Sequence, residues 1–270
     1  MTYDLVERTY IMGVLNITPD SFSDGGKYFD SKVNIDRVVE DAVRMEQEGA
    51  DFLDVGGEST RPGAEEVSLD EELERVIPVI ETLKQKVSIP LSIDTYKSEV
   101  ADEALKAGAV IVNDISGFRF DERMPEVTAK YSASCILMHI KGTPKNMQKD
   151  PQYDNVVQEV YDYLGESVKM AENAGIKQII TDVGIGFGKS LEHNLALIKN
   201  LGRFKELGYP VMIGLSRKSF LDKIFPTPMD ERLEGTIAAN TISIINGANI
   251  IRVHDVLENK RAARVADRLR

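Results

Sequence analysis

The 270-residue sequence has one cysteine, no tryptophan and three histidines, and each scarcity removes a class of protein. A lone Cys135 permits no internal disulfide, which excludes a disulfide-stapled scaffold and suits a reducing cytoplasm. Cys135 stands in the apolar run Cys135-Ile136-Leu137-Met138, where a small buried strand residue is expected. His139, His193 and His254 fall in separate segments with no HExxH-type pair, so no dedicated zinc site is expected. An excess of basic charge is also missing. Lys and Arg number 33 against 44 Asp and Glu, a net charge of −11, so nucleic acid is not an expected partner. A few local cations can still hold an anionic small molecule. No long uncharged apolar run reads as a membrane span, and Met1-Thr2-Tyr3-Asp4 carries no signal-peptide pattern. No membrane partner and a cytoplasmic location are therefore expected. Two chemical motifs fail as well. Gly184-Ile185-Gly186-Phe187-Gly188-Lys189-Ser190 ends like a nucleotide-binding loop, but its first glycine would have to stand at Val183. No serine sits in a GxSxG elbow.

What is present is a repeat of short apolar runs that end in polar residues: Asn16, Asp54, Asp94, Asn113, His139, Asp182, Ser216 and Arg252. The runs predict strands at Tyr10–Ile17, Asp51–Val55, Pro90–Ile93, Val110–Asn113, Ser134–His139, Gln178–Asp182, Pro210–Gly214 and Asn249–Val253. They are rich in Val, Ile and Leu with little alternation, as parallel strands buried on both faces should be. Between them lies helical spacing. In Ile35–Glu48 the residues Ile35, Val38, Val39, Ala42, Val43 and Met45 form one apolar stripe. Gly49, Gly108, Gly175, Gly208 and Gly247 each precede a strand by one to three residues, where a helix C-terminal glycine belongs. The pattern predicts an α/β (β/α)8 barrel, one domain over residues 1–270, with its site at the C-terminal ends of the strands. Two strand-to-helix segments, Thr18–Ser31 and Gly56–Ser68, are long enough to act as lids or binding loops on that face.

Three polar strand ends suit a flat heterocycle. Asp94 and Asp182 offer paired acceptors to adjacent N–H donors, and Asn113 reads a mixed edge. Asp and Asn are also common helix N-caps, which is the competing role for each of them. The cations Arg61, Arg217, Lys218 and Arg252, with His254, gather in the second, seventh and eighth loops. The last two loops are where barrels often bind phosphate, and Ser216-Arg217-Lys218-Ser219 is expected to start the helix after strand seven. Arg252 interrupts a buried strand and requires an anion or a carboxylate beside it.

These segments together resemble the dihydropteroate synthases over nearly the whole chain. The resemblance rests on Met12-Gly13-Val14-Leu15-Asn16-Ile17-Thr18-Pro19-Asp20-Ser21-Phe22-Ser23-Asp24-Gly25-Gly26 and on Gly57-Glu58-Ser59-Thr60-Arg61-Pro62-Gly63. Ser92-Ile93-Asp94-Thr95, Val112-Asn113-Asp114-Ile115-Ser116-Gly117, Met138-His139 and Gly142-Thr143-Pro144 continue it. So do Gly184-Ile185-Gly186-Phe187-Gly188-Lys189, Ser216-Arg217-Lys218-Ser219 and Arg252-Val253-His254-Asp255. Three positions depart from the bacterial pattern: Val183 where Pro is usual, Ile140-Lys141 for Met-Gln, and Phe118-Arg119 where a second Gly follows Gly117.

The resemblance implies a transferase of folate biosynthesis and a sulfonamide target. It would join 6-hydroxymethyl-7,8-dihydropterin diphosphate to 4-aminobenzoate, giving 7,8-dihydropteroate and diphosphate. It implies pterin contacts at Asp94, Asn113, Asp182 and Lys218, with Arg252 against the ring face. Diphosphate would meet Asn16, Arg61, Arg252 and His254, with Mg2+ held near Asn16, and Phe22, Thr60, Pro62, Phe187, Lys218 and Ser219 would line the aminobenzoate pocket. It gives Asp24 the task of stabilising a cationic pterin methylene in an SN1-like displacement, although Ser23-Asp24-Gly25-Gly26 is also an ordinary turn. A homodimer through the last helices is implied too; the helix Leu233–Ile245 is apolar over much of its surface, which a packed outer-ring helix would also explain. Two alternatives share the pterin-reading acids: a non-catalytic pterin-binding paralogue and a pterin-binding methyltransferase domain.

Overall fold

A computed structural model describes residues 4–18, 28 and 33–270 of the chain. Eight parallel strands close into a barrel in sequence order: β1 Tyr10–Asn16, β2 Phe52–Gly56, β3 Leu91–Asp94, β4 Ile111–Asp114, β5 Ser134–Met138, β6 Ile179–Asp182, β7 Val211–Gly214 and β8 Ile250–Val253. The helices around it are α1 Ile35–Glu48, α2 Leu69–Lys86, α3 Ser98–Ala107, α4 Met124–Lys130, α5 Val156–Asn173, α6 Leu191–Lys199, α7 Ser219–Ile224, α8 Leu233–Ile245 and α9 Val256–Leu269. This is the expected (β/α)8 barrel, and each strand boundary lies within one residue of its sequence reading.

Local chemistry explains the boundaries. Asn34 and Ser68 cap α1 and α2 by accepting from the backbone N–H of Arg37 and Glu71. His193 is spent on a capping box with Ser190 at the start of α6, which removes it from the site chemistry. Gly49 closes α1 at φ +99°, a left-handed turn that a side chain would strain, and the other four glycines read as helix ends also take positive φ. One expectation is corrected. The Ser216–Ser219 run does not start a helix as a unit: α7 begins at Ser219, with Lys218 extended at its cap position. From that position the Lys218 side chain reaches Ile185 O on the neighbouring loop.

The strand period of two sorts the chain into layers. Met12, Phe52, Ile111, Ile136, Ile180, Met212 and Ile250 point into the barrel and, with Leu5, form an apolar plug toward its base. Two residues further along five of these strands stand Asp54, Asn113, Asp182, Gly214 and Arg252. The intervening residues, such as Leu53, Val112, Cys135 and Ile251, face outward into the larger core beneath the helices. Cys135 is fully buried there, as expected, and burial pushes its thiol well up from the usual range. The polar site thus sits directly on the hydrophobic plug, at the C-terminal ends of the strands.

Candidate active site

Arg252 is the centre of the mouth. Its Nε donates to Asp54 Oδ2 at 2.6 Å and its NH2 donates to Asp94 Oδ2 at 2.7 Å, so one guanidinium spans two carboxylates from neighbouring strands. The carboxylate that the sequence required beside Arg252 is therefore a pair. Asn113 Nδ2 donates to the same Asp54 oxygen at 2.9 Å. Asp54 Oδ1 and Asp94 Oδ1 are buried and have no hydrogen-bond partner among the described residues. A buried carboxylate oxygen left in that state is costly, and it supplies an acceptor for an incoming N–H donor. Burial dominates Asp94 and lifts its carboxyl to about 7, against the opposing pull of Arg252.

Asp182 closes β6 on the opposite wall. Its Oδ1 accepts from Gly184 N at 2.8 Å, and burial raises its carboxyl while the Lys218 charge opposes that rise. Lys218 Nζ donates to Ile185 O at 2.6 Å and lies 4.8 Å from the centroid of the Phe187 ring. Burial lowers its ammonium to about 8. Gly214, at the end of β7, leaves room where Arg252 and Lys218 converge: a Cβ there would stand 3.8 Å from both Arg252 Cβ and Lys218 Nζ. None of Asp94, Asn113 and Asp182 caps a helix, because those positions are held by Lys97, Arg123 and Ser190.

His254 follows β8, half-buried, with Nδ1 2.9 Å from Ser216 Oγ. Burial and the charges of Arg252, Arg217, Arg61 and Lys218 push it down to about 3, so it is a neutral imidazole and not one of the cations. Arg217 is not a site cation either. It forms a bidentate pair with Asp255 at 2.5 and 3.0 Å, and its backbone, at φ +56°, is tied to Thr236 and Arg232. Thr60 and Arg61 are half-buried and Pro62 is exposed in the loop after β2, which is pinned to the loop after β5 by Gly63 N donating to Pro144 O at 3.0 Å. Phe187 is half-buried beside Lys218, and Ser219 is exposed at the start of α7. Phe22 and Asp24 lie outside the described residues.

Asn16 ends β1 in register with Gly56, half-buried, and its carboxamide makes no hydrogen bond with a described residue. No group of three or more His, Cys, Asp or Glu among the described residues could cage a metal ion. The Asn16 amide oxygen is a hard ligand that would hold Mg2+ only together with oxygens of a phosphate-bearing substrate.

Comparison with known proteins decides the family. A family model described as pterin binding enzyme matches residues 12–254. The dihydropteroate synthase of Clostridium beijerinckii is 49% identical over 98% of this chain and 96% of its own length. The Yersinia pestis dihydropteroate synthase, solved with a sulfonamide drug complex, superposes with a TM-score of 0.94 at 40% identity, over all of this chain and 96% of that one. The Xanthomonas albilineans enzyme, solved with 4-aminobenzoic acid, gives 0.88 at 42% identity over 97% and 93%. The chain belongs to the dihydropteroate synthase family.

Against that family's pattern, the departure at Phe118 has a structural consequence. Its backbone takes φ +71°, a conformation that suits the glycine usual there, and Phe118 holds it with a buried ring and an N–H bonded to Asp114 Oδ2 at 3.0 Å. Two residues of this dihydropteroate synthase site carry more than the sequence reading gave them. Asp54 was one polar strand end among eight, yet it anchors both Arg252 and Asn113; its phase with Asn113 and Arg252 on a period of two was the available signal. Lys189, part of a rejected nucleotide-loop motif, is 1% exposed and donates to Phe187 O.

Proposed function

We propose that this dihydropteroate synthase joins 6-hydroxymethyl-7,8-dihydropterin diphosphate to 4-aminobenzoate through the residues of the mouth. The observation that carries the reading is the pair of buried, unpartnered carboxylate oxygens on Asp54 and Asp94 beside Asn113, facing Asp182 across the barrel. A pterin brings ring N–H and NH2 donors to such acceptors, and the ligand then satisfies what the empty site leaves unpaired. Asp54 holds the Asn113 amide and the Arg252 fork in place, Lys218 stands over the rim near Phe187, and Arg252 flanks the ring.

The bond that breaks is C–O, from the pterin methylene to diphosphate; the bond that forms is C–N, to the arylamine, which then gives its proton to solvent. An arylamine is neutral near pH 7 and needs little base. The barrier lies in ionisation, and the groups that lower it are those that meet the departing anion: Arg61 and Arg252, with His254. A diphosphate seated among these cations offsets their share of the shift while burial still disfavours the imidazolium, so His254 meets the anion as a neutral N–H donor. Asn16 would hold Mg2+, which when bound supplies charge neutralisation to the diphosphate. Asp24 is assigned to the cationic methylene, and Phe22, Thr60, Pro62, Phe187, Lys218 and Ser219 to the aminobenzoate. Asp24→Ala then lowers kcat more than it weakens pterin binding, whereas equal losses would make Asp24 a positioning residue.

A homodimer through the last helices is supported by apolar side chains left exposed on α8 and α9, Ile242, Ile245, Val265 and Leu269. A cytoplasmic location is part of the same reading; no helix among the described residues is long and apolar enough to cross a membrane. The deciding experiment follows diphosphate release with Mg2+, with and without 4-aminobenzoate, alongside chromatography for dihydropteroate. Dihydropteroate formed only with both substrates supports the synthase. Pterin binding without any product supports a non-catalytic paralogue.

A further inference from the structure

The loop after β6 is held by an unusual run of bonds. Four consecutive carbonyls each accept from a different side chain: Ile185 from Lys218 Nζ at 2.6 Å, Gly186 from Gln148 Nε2 at 2.5 Å, Phe187 from Lys189 Nζ at 2.9 Å and Gly188 from Tyr153 OH at 2.8 Å. Of these donors only Lys189 is fully enclosed. Its Nζ also lies 2.8 Å from His139 Nδ1, and the His139 ring packs edge-on against Tyr163 at 4.6 Å. Burial holds His139 down at about 2 and pushes the Lys189 ammonium well down too; the imidazole is neutral, and with Nδ1 accepting from the lysine nitrogen, a donor whether charged or neutral, its proton sits on Nε2.

The loop lies flush on the end of β5. A Cβ on Gly184, at φ +67°, would stand 1.9 Å from His139 O, and one on Gly188 would stand 2.4 Å from Lys141 O. Glycine is required at both positions for that close approach. The same loop carries ligand-facing groups: Gly184 N bonds the Asp182 carboxylate, the Phe187 ring faces Lys218, and His139 N donates to Asp182 O at 3.1 Å. A shift of the loop therefore moves a pterin-facing carboxylate and the Lys218 contact together.

We propose that Lys189 is a positioning residue of the pterin site: by donating to Phe187 O and His139 Nδ1 it seats the 184–188 loop on the end of β5 and fixes Asp182 and Phe187 without touching ligand. The proposal rests on the pterin reading given above. It is tested with Lys189→Met, which keeps length and removes every donor, and with His139→Gln and His139→Leu, which respectively keep and remove an acceptor for Lys189. Binding of 6-hydroxymethylpterin is titrated calorimetrically, and steady-state kinetics are run with both substrates. Lys189→Met and His139→Leu raise the pterin Kd and the KM for dihydropterin diphosphate about tenfold, with kcat changed by less than about threefold, because the groups that meet the leaving anion remain. His139→Gln stays within about threefold of the parent in both constants. The proposal is overturned by a Kd in Lys189→Met within about twofold of the parent, whatever its thermal midpoint, or by His139→Gln as weak as His139→Leu. Loss of the cooperative unfolding transition in both Lys189→Met and His139→Leu makes the pair a scaffold element and overturns it as well. A parent protein that binds no pterin overturns the function proposed above, and this positioning role with it.

Discussion

The two ends of β2 each hold an aspartate against an arginine, and they are built on opposite principles. At the base, Asp51 accepts from Arg8 at 2.6 and 3.0 Å, from Ile11 N at 2.8 Å and from Lys260 at 3.1 Å. These partners overcome burial and hold its carboxyl below the usual range. Three residues on, Asp54 faces Arg252 with one oxygen bonded and the other unpartnered, and its neighbour Asp94 repeats the pattern with its carboxyl lifted to about 7. The base is saturated and the mouth is not. A saturated cluster stabilises the barrel; an unsaturated one holds binding capacity in reserve for a ligand, at a cost to stability.

The comparison breaks most visibly at the mouth. Asp182→Asn replaces an acceptor with an amide whose N–H2 group meets the ligand's own donors. Pterin affinity falls about a hundredfold, roughly 2.7 kcal/mol, while thermal stability changes little, since the buried charge it removes was poorly compensated. Calorimetry with 6-hydroxymethylpterin checks the first part and a melting curve the second. At the base the effects exchange places. Asp51→Asn costs about 2 kcal/mol of stability through four weakened or lost bonds and leaves pterin affinity unchanged. A change in affinity in that variant would mean that β2 transmits strain from one end to the other.

How much of this was legible beforehand follows the same division. Buried apolar runs are long-range averages, so the strands, the helix ending in Gly49 and the order of the barrel could be read directly. Asp94, Asn113, Asp182 and Arg252 could be read because a polar residue in an apolar strand is improbable without a partner or ligand. The partner itself could not: that Asp54 and Arg252, 198 positions apart, share a bond is a consequence of barrel closure. His254 was grouped with the cations, yet burial first, and then the charges of Arg252, Arg217, Arg61 and Lys218 that the fold gathers from separate segments, keep it neutral. Arg217 misled in the opposite direction, since its pair with Asp255 depends on a positive φ that no composition rule anticipates at an arginine.

Acidity sharpens the comparison through the sign of the response. Asp51 has its carboxyl lowered on folding, so the stability it contributes is present above about pH 4 and is lost as pH falls through its folded value. Asp94 has its carboxyl raised to about 7, so folding favours its neutral form, and its contribution declines as pH rises from about 4 toward 7. Denaturant midpoints at pH 5 and pH 8 separate the two. Asp94→Asn gains stability relative to the parent as pH rises, by about 1 kcal/mol or more, while the deficit of Asp51→Asn is the same at both. An Asp94→Asn difference that does not vary with pH would mean that Arg252 keeps Asp94 ionised throughout.

The smallest effect is expected at Arg8, the outermost member of the base. Its guanidinium is 44% exposed, it lies 4.1 Å from the Tyr10 ring centroid, and its departure leaves Asp51 still bonded to Ile11 N and Lys260. Arg8→Ala therefore lowers stability by no more than about 1 kcal/mol, the range of exposed ion pairs, and the loss shrinks at high salt. Neither kcat nor either KM changes. Arg252 supplies the contrast, since its two carboxylate partners are 0% and 12% exposed and no other described residue spans both. Arg252→Lys keeps the charge but loses the planar fork whose Nε and NH2 reach the two acids separately. An Arg8→Ala variant that lost activity as Arg252→Lys does would show that the base belongs to the catalytic device after all.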